Sequence, residues 1–419
     1  MTPIDDTHDP TRTSWVDAAN TPDCDFPIQN LPFGRFMLPG DTAWRLGVAI
    51  GDQVLDLAVL GCDAPTDMRE LLTASASSRV TLRHQLVKGL TQGAARTRWQ
   101  ASLYPIRGVT LGLPCEIGDY TDFYAGIHHA MAVGKLFRPD APLLPNYRWV
   151  PIAYHGRAST IMPSGQRFTR PQGQVKLPDP HPPVLMPTAR LDFELEMGIL
   201  IGRPNPHGQP IALENAEDHV FGLTLLNDWS ARDIQAWEYQ PLGPFLAKNF
   251  ATTLSPWVVT LEALAPFRAP LKREADSPPC LPYLDSPENL AAGSFNIALD
   301  VWLETPGIRR EGRGPERISH ARFAQAAYWT VAQMVAHHTV NGCLMRPGDL
   351  LGTGTLSGPA PEEAGSLLEL TQGGAHPIRL QNGEERRFLE DGDTVTFKAR
   401  AEREGFKTIG FGECVGGSR

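Results

Sequence analysis

The segment LDFELEMGILIG, Leu191 to Gly202, limits the fold more than any other stretch of this chain. In an extended strand its side chains alternate. Leu191, Phe193, Leu195 and Met197 fall on one face, and Asp192, Glu194 and Glu196 on the other. An exposed polar face is the common fate of such a pattern. Here GILIG continues it as an apolar run, which argues for a central strand. Carboxylates crowded on a buried face repel one another, and a divalent cation between them removes that repulsion. Oxygen-only ligands favour calcium or magnesium over zinc.

Two further acids are placed to join them. Asp228 ends the apolar run FGLTLLND, where the chain turns towards a helix. Asp122 lies in DYTDFYAGIHHAM, Asp119 to Met131. Taken alone, Asp228 reads as a helix-start residue, and Asp122, Asp119 and Tyr120 as loop residues. The spacing makes convergence on one site reasonable without requiring it.

A helix is expected from near Ser230 to before Pro241. Arg232, Gln235 and Tyr239 share one face of it, at i, i+3 and i+7. They offer donors for a carbonyl or carboxylate, and the competing reading is a solvated face. Lys248 follows the PLGP turn and is either a pocket ammonium or a surface lysine. His128 and His129 are adjacent and point in different directions, so at most one serves a given site. No H-x-x-x-H pair or nearby cysteine supports zinc. Imidazole near neutral pH suits a general base, best with a carboxylate behind it. His337 and His338 read as packing or helix-end residues. GTGTLSGP, Gly352 to Pro359, lacks the G-K-[ST] ending of a phosphate loop and reads as a turn, with Thr355 as a possible contact to a substrate carboxylate.

The 419 residues suggest two unequal domains, 1–118 and 119–419. A net charge of -9 argues against nucleic acid or an anionic membrane as the main partner. No apolar run of about 18 residues predicts a membrane span. The polar start lacks a signal-peptide core, and Cys24, Cys62, Cys115, Cys280, Cys343 and Cys414 are scattered. Both point to a cytoplasmic protein with reduced thiols. Residues 1 to about 28 look loosely ordered. Arg45–Leu57 reads as a hairpin around Gly51-Asp52, and helices are expected near Thr66–Thr73 and Val80–Leu90. Ser319–Gly342 reads as one long helix, with Ser319 as N-cap and Phe323, Ala327, Val331 and Met334 as its apolar stripe. EDGDTVTFKA and KTIGFGECV carry strand signals.

The segments DYTDFY, LLPNY, YHGRAS, LDFELEMG, NDWSARDIQAWEYQPLGPFLAKNF, TTLSPWVV, VNGC, RPGDLLGTGTLSGP, GSLLEL and IGFGEC follow one another from residue 119 to the C-terminus. In content, order and spacing the chain resembles the fumarylacetoacetase family. The resemblance implies a mainly β fold with some α: a small SH3-like N-terminal barrel and a larger mixed-β catalytic domain, assembled as a homodimer. It implies hydrolysis of a carbon–carbon bond in a small diketo dicarboxylate, 4-fumarylacetoacetate. It implies calcium on Asp122, Glu194, Glu196 and Asp228, and a second cation, magnesium, near Asp228, Lys248 and Thr252. His129 becomes the general base and Glu369 its orienting acid. Arg232, Gln235 and Lys248 become the donors to developing negative charge. Tyr124, Arg138, Tyr154, Gln235, Tyr239 and Thr355 become substrate contacts. The sequence departs from the family pattern at AGI before the histidines, at His128, where an uncharged polar residue is expected, and in the Arg138–Tyr154 loop, one residue shorter. Related acylpyruvate hydrolases or β-keto acid decarboxylases on the same scaffold are alternatives, as is a metal-binding protein without catalysis.

Overall fold

The structure, a computed structural model, describes residues 2–419. Strand-forming runs dominate, and they assemble into sheets whose neighbours come from distant parts of the chain. Near the N-terminus an antiparallel sheet of five strands runs in the order Leu103–Pro105, Gln53–Asp56, Arg45–Ile50, Phe33–Met37, Thr110–Leu111. Its central hairpin turns at Gly51, where φ is +63° and an L side chain is disfavoured. The helices Met68–Thr73 and Ala76–Thr91 follow, each begun by a side-chain cap, Asp67 and Ser75.

The sheet that matters for function has eight strands. Its path runs Ala153–His155, Tyr120–Phe123, Leu350–Gly352, Leu195–Ile201, Val220–Asp228, Thr252–Leu254, Ile161–Pro163, and Val259–Thr260 also pairs with Val220–Asp228. Leu195–Ile201 is buried at every position, as a strand covered on both faces must be. Antiparallel pairing sets Leu195 opposite Asn227, and parallel pairing sets Gly352 opposite Asp122. Acids from three strands are thereby brought to one end of the sheet. A second sheet, Glu316–Arg322, Ile297–Glu304, Thr394–Ala401, Ile409–Ser418 and Arg167–Phe168, packs through residues such as Phe397, edge-on to Phe193 at 5.8 Å.

The N-terminal sheet does not stand apart. Phe33 and Val258 exchange backbone hydrogen bonds of 3.0 and 2.8 Å. Leu200, Phe221 and Val258 share one apolar cluster with Leu71, Leu86 and Trp99.

Several expectations need correction. Residues 2–28 are packed rather than loose. Asp5 caps a short turn at Asp6–His8, and Thr7, His8, Ser14 and Ala19 are buried. Arg83 holds this strap by donating to Thr7 Oγ1 and to the carbonyls of Gln29 and Asn30. The expected Ser319–Gly342 helix is a strand to Arg322, a turn of helix at Phe323–Ala326, and a separate helix Val331–Thr339. Ser319 pairs with Val301 in a ladder, while Thr330 and Gln333 form the true capping box. Tyr120, expected in a loop, lies in a buried strand. Cys24, Cys115, Cys280, Cys343 and Cys414 are free thiols; the side chain of Cys62 lies outside the described residues.

Candidate metal centre and active site

Oxygens of Asp122, Glu194, Glu196 and Asp228 all lie within 4.8 Å of one another, and all four residues are buried. The backbone explains the closeness. Gly352 stands between Asp122 and Glu196 without a side chain. A Cβ there would lie 2.5 Å from Asp122 Oδ1 and 2.8 Å from Glu196 Oε2. The Gly354 N–H donates to those same two oxygens, at 3.2 and 3.0 Å. Asp228 accepts from the Tyr154 hydroxyl at 2.7 Å and the Thr252 hydroxyl at 2.8 Å.

Two cationic side chains enter the cluster. Lys248 Nζ lies 2.7 Å from Glu194 and 3.1 Å from Asp228. Arg232 donates to Glu194 at 2.6 Å and to Gln235 Oε1 at 3.1 Å. Burial alone would raise Glu194, but Lys248 and Arg232 carry it well below the usual carboxylate range. They do not suffice for Asp122 and Glu196. Burial, then Asp228, holds Asp122 well above that range, and burial, then Asp122 and Asp228, does the same for Glu196. Glu196 Oε1 is buried without a partner among the described residues. Acids that cannot all ionise unaided, converging with an unsatisfied oxygen, fit a hard divalent cation.

Alternation puts Asp192 on the face of Glu194 and Glu196, and Arg232 does bridge Asp192 and Glu194, but Asp192 is not among the four converging acids. The strand is interrupted at Phe193 and Glu194, between Leu191–Asp192 and Leu195–Ile201. Asp192 faces Arg232 at 2.8 Å.

Beside the acids, His129 on the helix Ile127–Phe137 meets Glu369 on the helix Leu367–Leu370. The Nδ1–Oε2 distance is 2.7 Å, and both side chains are about 95% buried, at 4% and 5% exposure. Glu369 Oε2 also accepts from Ser366 at 2.7 Å and Ser357 at 3.0 Å. Burial opposes its ionisation, yet His129 and these hydroxyls keep Glu369 below the usual range. An ionised Glu369 accepts only, so His129 Nδ1 carries the proton and Nε2 is the basic nitrogen. The helix-start signal S-x-x-E, Ser366 to Glu369, is present in the sequence and is the sign by which Ser366 could be found.

A family model described as "Fumarylacetoacetate (FAA) hydrolase C-terminal" matches residues 120–416, and one described as "Fumarylacetoacetase N-terminal" matches residues 29–114. The chain is 44% identical to a fumarylacetoacetase of Arabidopsis thaliana, over 96% of this chain and 97% of that protein. It is also 44% identical to a Homo sapiens fumarylacetoacetase, over 94% and 96%.

The chain belongs to the fumarylacetoacetate hydrolase family.

A solved family structure, a fumarylacetoacetate hydrolase from psychrophilic Exiguobacterium antarcticum, shares the fold with a TM-score of 0.50 and 16% identity, covering 93% of this chain and 99% of that one. As a member of the fumarylacetoacetate hydrolase family, the chain also has its expected substrate contacts to account for. Tyr124 lies edge-on to His129, with ring centroids 5.6 Å apart. Burial raises its phenol well above the ordinary value, with Glu194 and Glu369 adding and Arg232 and Arg138 opposing. Thr355 is 1% exposed, and its hydroxyl has no partner among the described residues. Arg138 closes the His129 helix and donates to the Pro142 carbonyl at 3.2 Å, its Nε buried and unpartnered among the described residues. Tyr239 closes the Arg232–Glu238 helix by its N–H to the Gln235 carbonyl. His128 is half-buried on the His129 helix. His337 and His338 pack elsewhere, against Tyr283 and Thr121. The structure adds Tyr120, whose buried hydroxyl would lie 3.0 Å from a Gly352 Cβ, beside Asp122 and Glu196.

Proposed function

We propose that this chain hydrolyses the carbon–carbon bond of 4-fumarylacetoacetate to fumarate and acetoacetate, the last step of tyrosine and phenylalanine breakdown. The observation that carries the reading is the buried His129–Glu369 pair, 2.7 Å apart, beside four converging carboxylates. Identity of 44% along almost the whole chain to proteins named fumarylacetoacetase supports the substrate.

The chemistry asks for a base, an oxyanion site and an electron sink. His129 Nε2 takes a proton from water, and the hydroxide adds to the carbonyl carbon next to the fumaryl group. Glu369 holds the ring and stabilises the imidazolium. Arg232, Gln235 and Lys248 meet the tetrahedral oxyanion. The C–C bond then breaks, its electrons leaving as the acetoacetate enolate, which is protonated at carbon. Tyr124, Arg138, Tyr154, Tyr239 and Thr355 grip the substrate's carboxylates and carbonyls.

Asp122, Glu194, Glu196 and Asp228 hold calcium, and Asp228, Thr252 and the Lys248 carbonyl a structural magnesium. Calcium, when bound, supplies Lewis-acid stabilisation of an enolate. The reading extends to a homodimer in the cytoplasm, and to an N-terminal part, residues 1–118, of SH3-like type preceding a catalytic part, 119–419. No helix among the described residues is long and apolar enough to cross a membrane.

Absorbance-monitored hydrolysis of fumarylacetoacetate, with and without chelator, tests the reading. Turnover that chelator removes and calcium restores is expected. Cleavage of simple acylpyruvates in place of fumarylacetoacetate would overturn it.

A further inference from the structure

Asp192 is wholly buried and accepts four hydrogen bonds. Oδ2 takes Arg232 Nε–H at 2.8 Å and the Leu368 N–H at 3.0 Å. Oδ1 takes the Leu367 N–H at 2.7 Å and its neighbour Phe193 N–H at 2.9 Å. Leu367 and Leu368 open the helix Leu367–Leu370 that carries Glu369. Their amides have no partner inside that helix, so Asp192 supplies what its own backbone cannot.

The same Oδ2 that takes the Leu368 N–H also fixes Arg232. Nε is taken by Asp192, and Nη1 by Glu194 and Gln235. Nη2 is buried and has no partner among the described residues. A guanidinium is a rigid fork. Once Nε and Nη1 are held, the direction of the Nη2 hydrogens is set. They form the group left over for an incoming oxygen.

We propose that Asp192 is a positioning residue that joins the two halves of the reaction machinery: it aims Arg232 and anchors the helix holding Glu369 behind His129. This rests on the roles given above to Arg232 and Glu369. One carboxylate therefore fixes the distance between the oxyanion donor and the base. A residue that only capped a short helix would affect stability and leave kcat and the His129–Glu369 contact unchanged.

Asp192→Asn separates these cases. The amide matches in size, but its NH₂ cannot accept from Arg232 or Leu368. Circular dichroism first shows whether the variant is folded. The expected result is kcat lower by about 10²-fold, the cost of a misplaced reacting group, with KM and calorimetric calcium affinity near the parent's. In a ¹H–¹⁵N spectrum of histidine-labelled protein, the His129 Nδ1–H signal moves from its parent position. Asp192→Glu keeps a negative charge beside Arg232 and serves as the second variant if the asparagine variant fails to fold. It displaces both partners, so the same kcat loss and the same signal movement are expected. An unmoved His129 signal in a folded variant overturns the proposal, as does kcat within twofold of the parent or a change confined to KM. If the parent does not hydrolyse fumarylacetoacetate, the functional reading falls, and the histidine signal alone decides whether Asp192 anchors Glu369.

Discussion

His129 and Glu369 are 240 residues apart in the chain, and their facing atoms are 2.7 Å apart. The contact fixes which ring nitrogen is basic. His129→Ala is expected to lower turnover by about 10²–10⁴-fold while leaving the fold and calcium binding in place. Glu369→Gln should lose a comparable amount, because the amide can donate to Nδ1 and turn the tautomer round. Steady-state rates on fumarylacetoacetate check both, and near-parent rates for His129→Ala would remove the base assignment.

Glu196→Gln should separate stability from metal binding. It puts a neutral amide where burial and the neighbouring acids already hold the Glu196 carboxyl above the usual carboxylate range. The metal-free variant should melt at or above the parent's Tm. The parent should gain about 2.7 kcal/mol from cation at 100 times Kd, and the variant much less. Melting curves with chelator and with calcium make the comparison. An equal cation-induced rise in both proteins counts against Glu196 as a ligand.

Gly352→Ala adds one methyl group where there is no room. The new Cβ would meet Asp122 Oδ1 at 2.5 Å and Glu196 Oε2 at 2.8 Å. Overpacking of this kind costs about 1–3 kcal/mol. Here it should appear as weaker calcium binding by titration calorimetry, since the atoms displaced are ligand oxygens.

Thr355 has a buried hydroxyl with no partner among the described residues. Thr355→Val keeps the shape and removes the donor. A hydrogen bond to a charged group contributes about 1.5–3 kcal/mol, so KM should rise roughly 10- to 100-fold, with Tm unchanged or higher. A KM equal to the parent's would show that the substrate does not use this hydroxyl.

His8 ties the N-terminal strap to the rest of the protein through Nε2–H to the Glu262 carbonyl at 2.8 Å. Burial, then the Arg83 charge, holds its pKa below the ordinary value. The folded protein thus binds this proton less readily than the unfolded chain. Its contribution to stability is complete above about pH 6.5 and is lost as pH falls from there through the lowered folded value. Tm measured from neutral pH downwards should fall more steeply in the parent than in His8→Gln. Parallel profiles would exclude His8 as the source.

How much of this is legible in the sequence depends on the range of the signal. The Arg45–Ile50 and Gln53–Asp56 hairpin is local: two apolar runs around Gly51. The buried strand Leu195–Ile201 is also readable, because its apolar run leaves little else to be. Local rules fail where two periods overlap. Phe323, Ala327 and Val331 fit a helix, yet Ser319 to Arg322 alternate in burial as a strand does. Asp192 fits the acid face of its strand by counting, and like Glu194 it meets Arg232, yet it is not among the four converging acids. The bringing together of Asp122, Glu194, Glu196 and Asp228 depends on strand order, including the parallel pairing of Tyr120–Phe123 with Leu350–Gly352. No spacing rule contains that order. The resemblance to a family pointed to these residues, where the residue pattern alone left them open.

Leu200, Phe221 and Val258 are fully covered, and residues such as Leu71, Leu86 and Trp99 belong to their cluster. The first third of the chain is therefore not an accessory that can be trimmed. A polypeptide begun at Asp119 would present these three side chains to water, at about 1.5–3 kcal/mol each. Two of the three, Leu200 and Phe221, lie on the strands that bring Glu196 and Asp228 together. Shortening this protein thus requires redesign of Leu200, Phe221 and Val258 as polar surface residues.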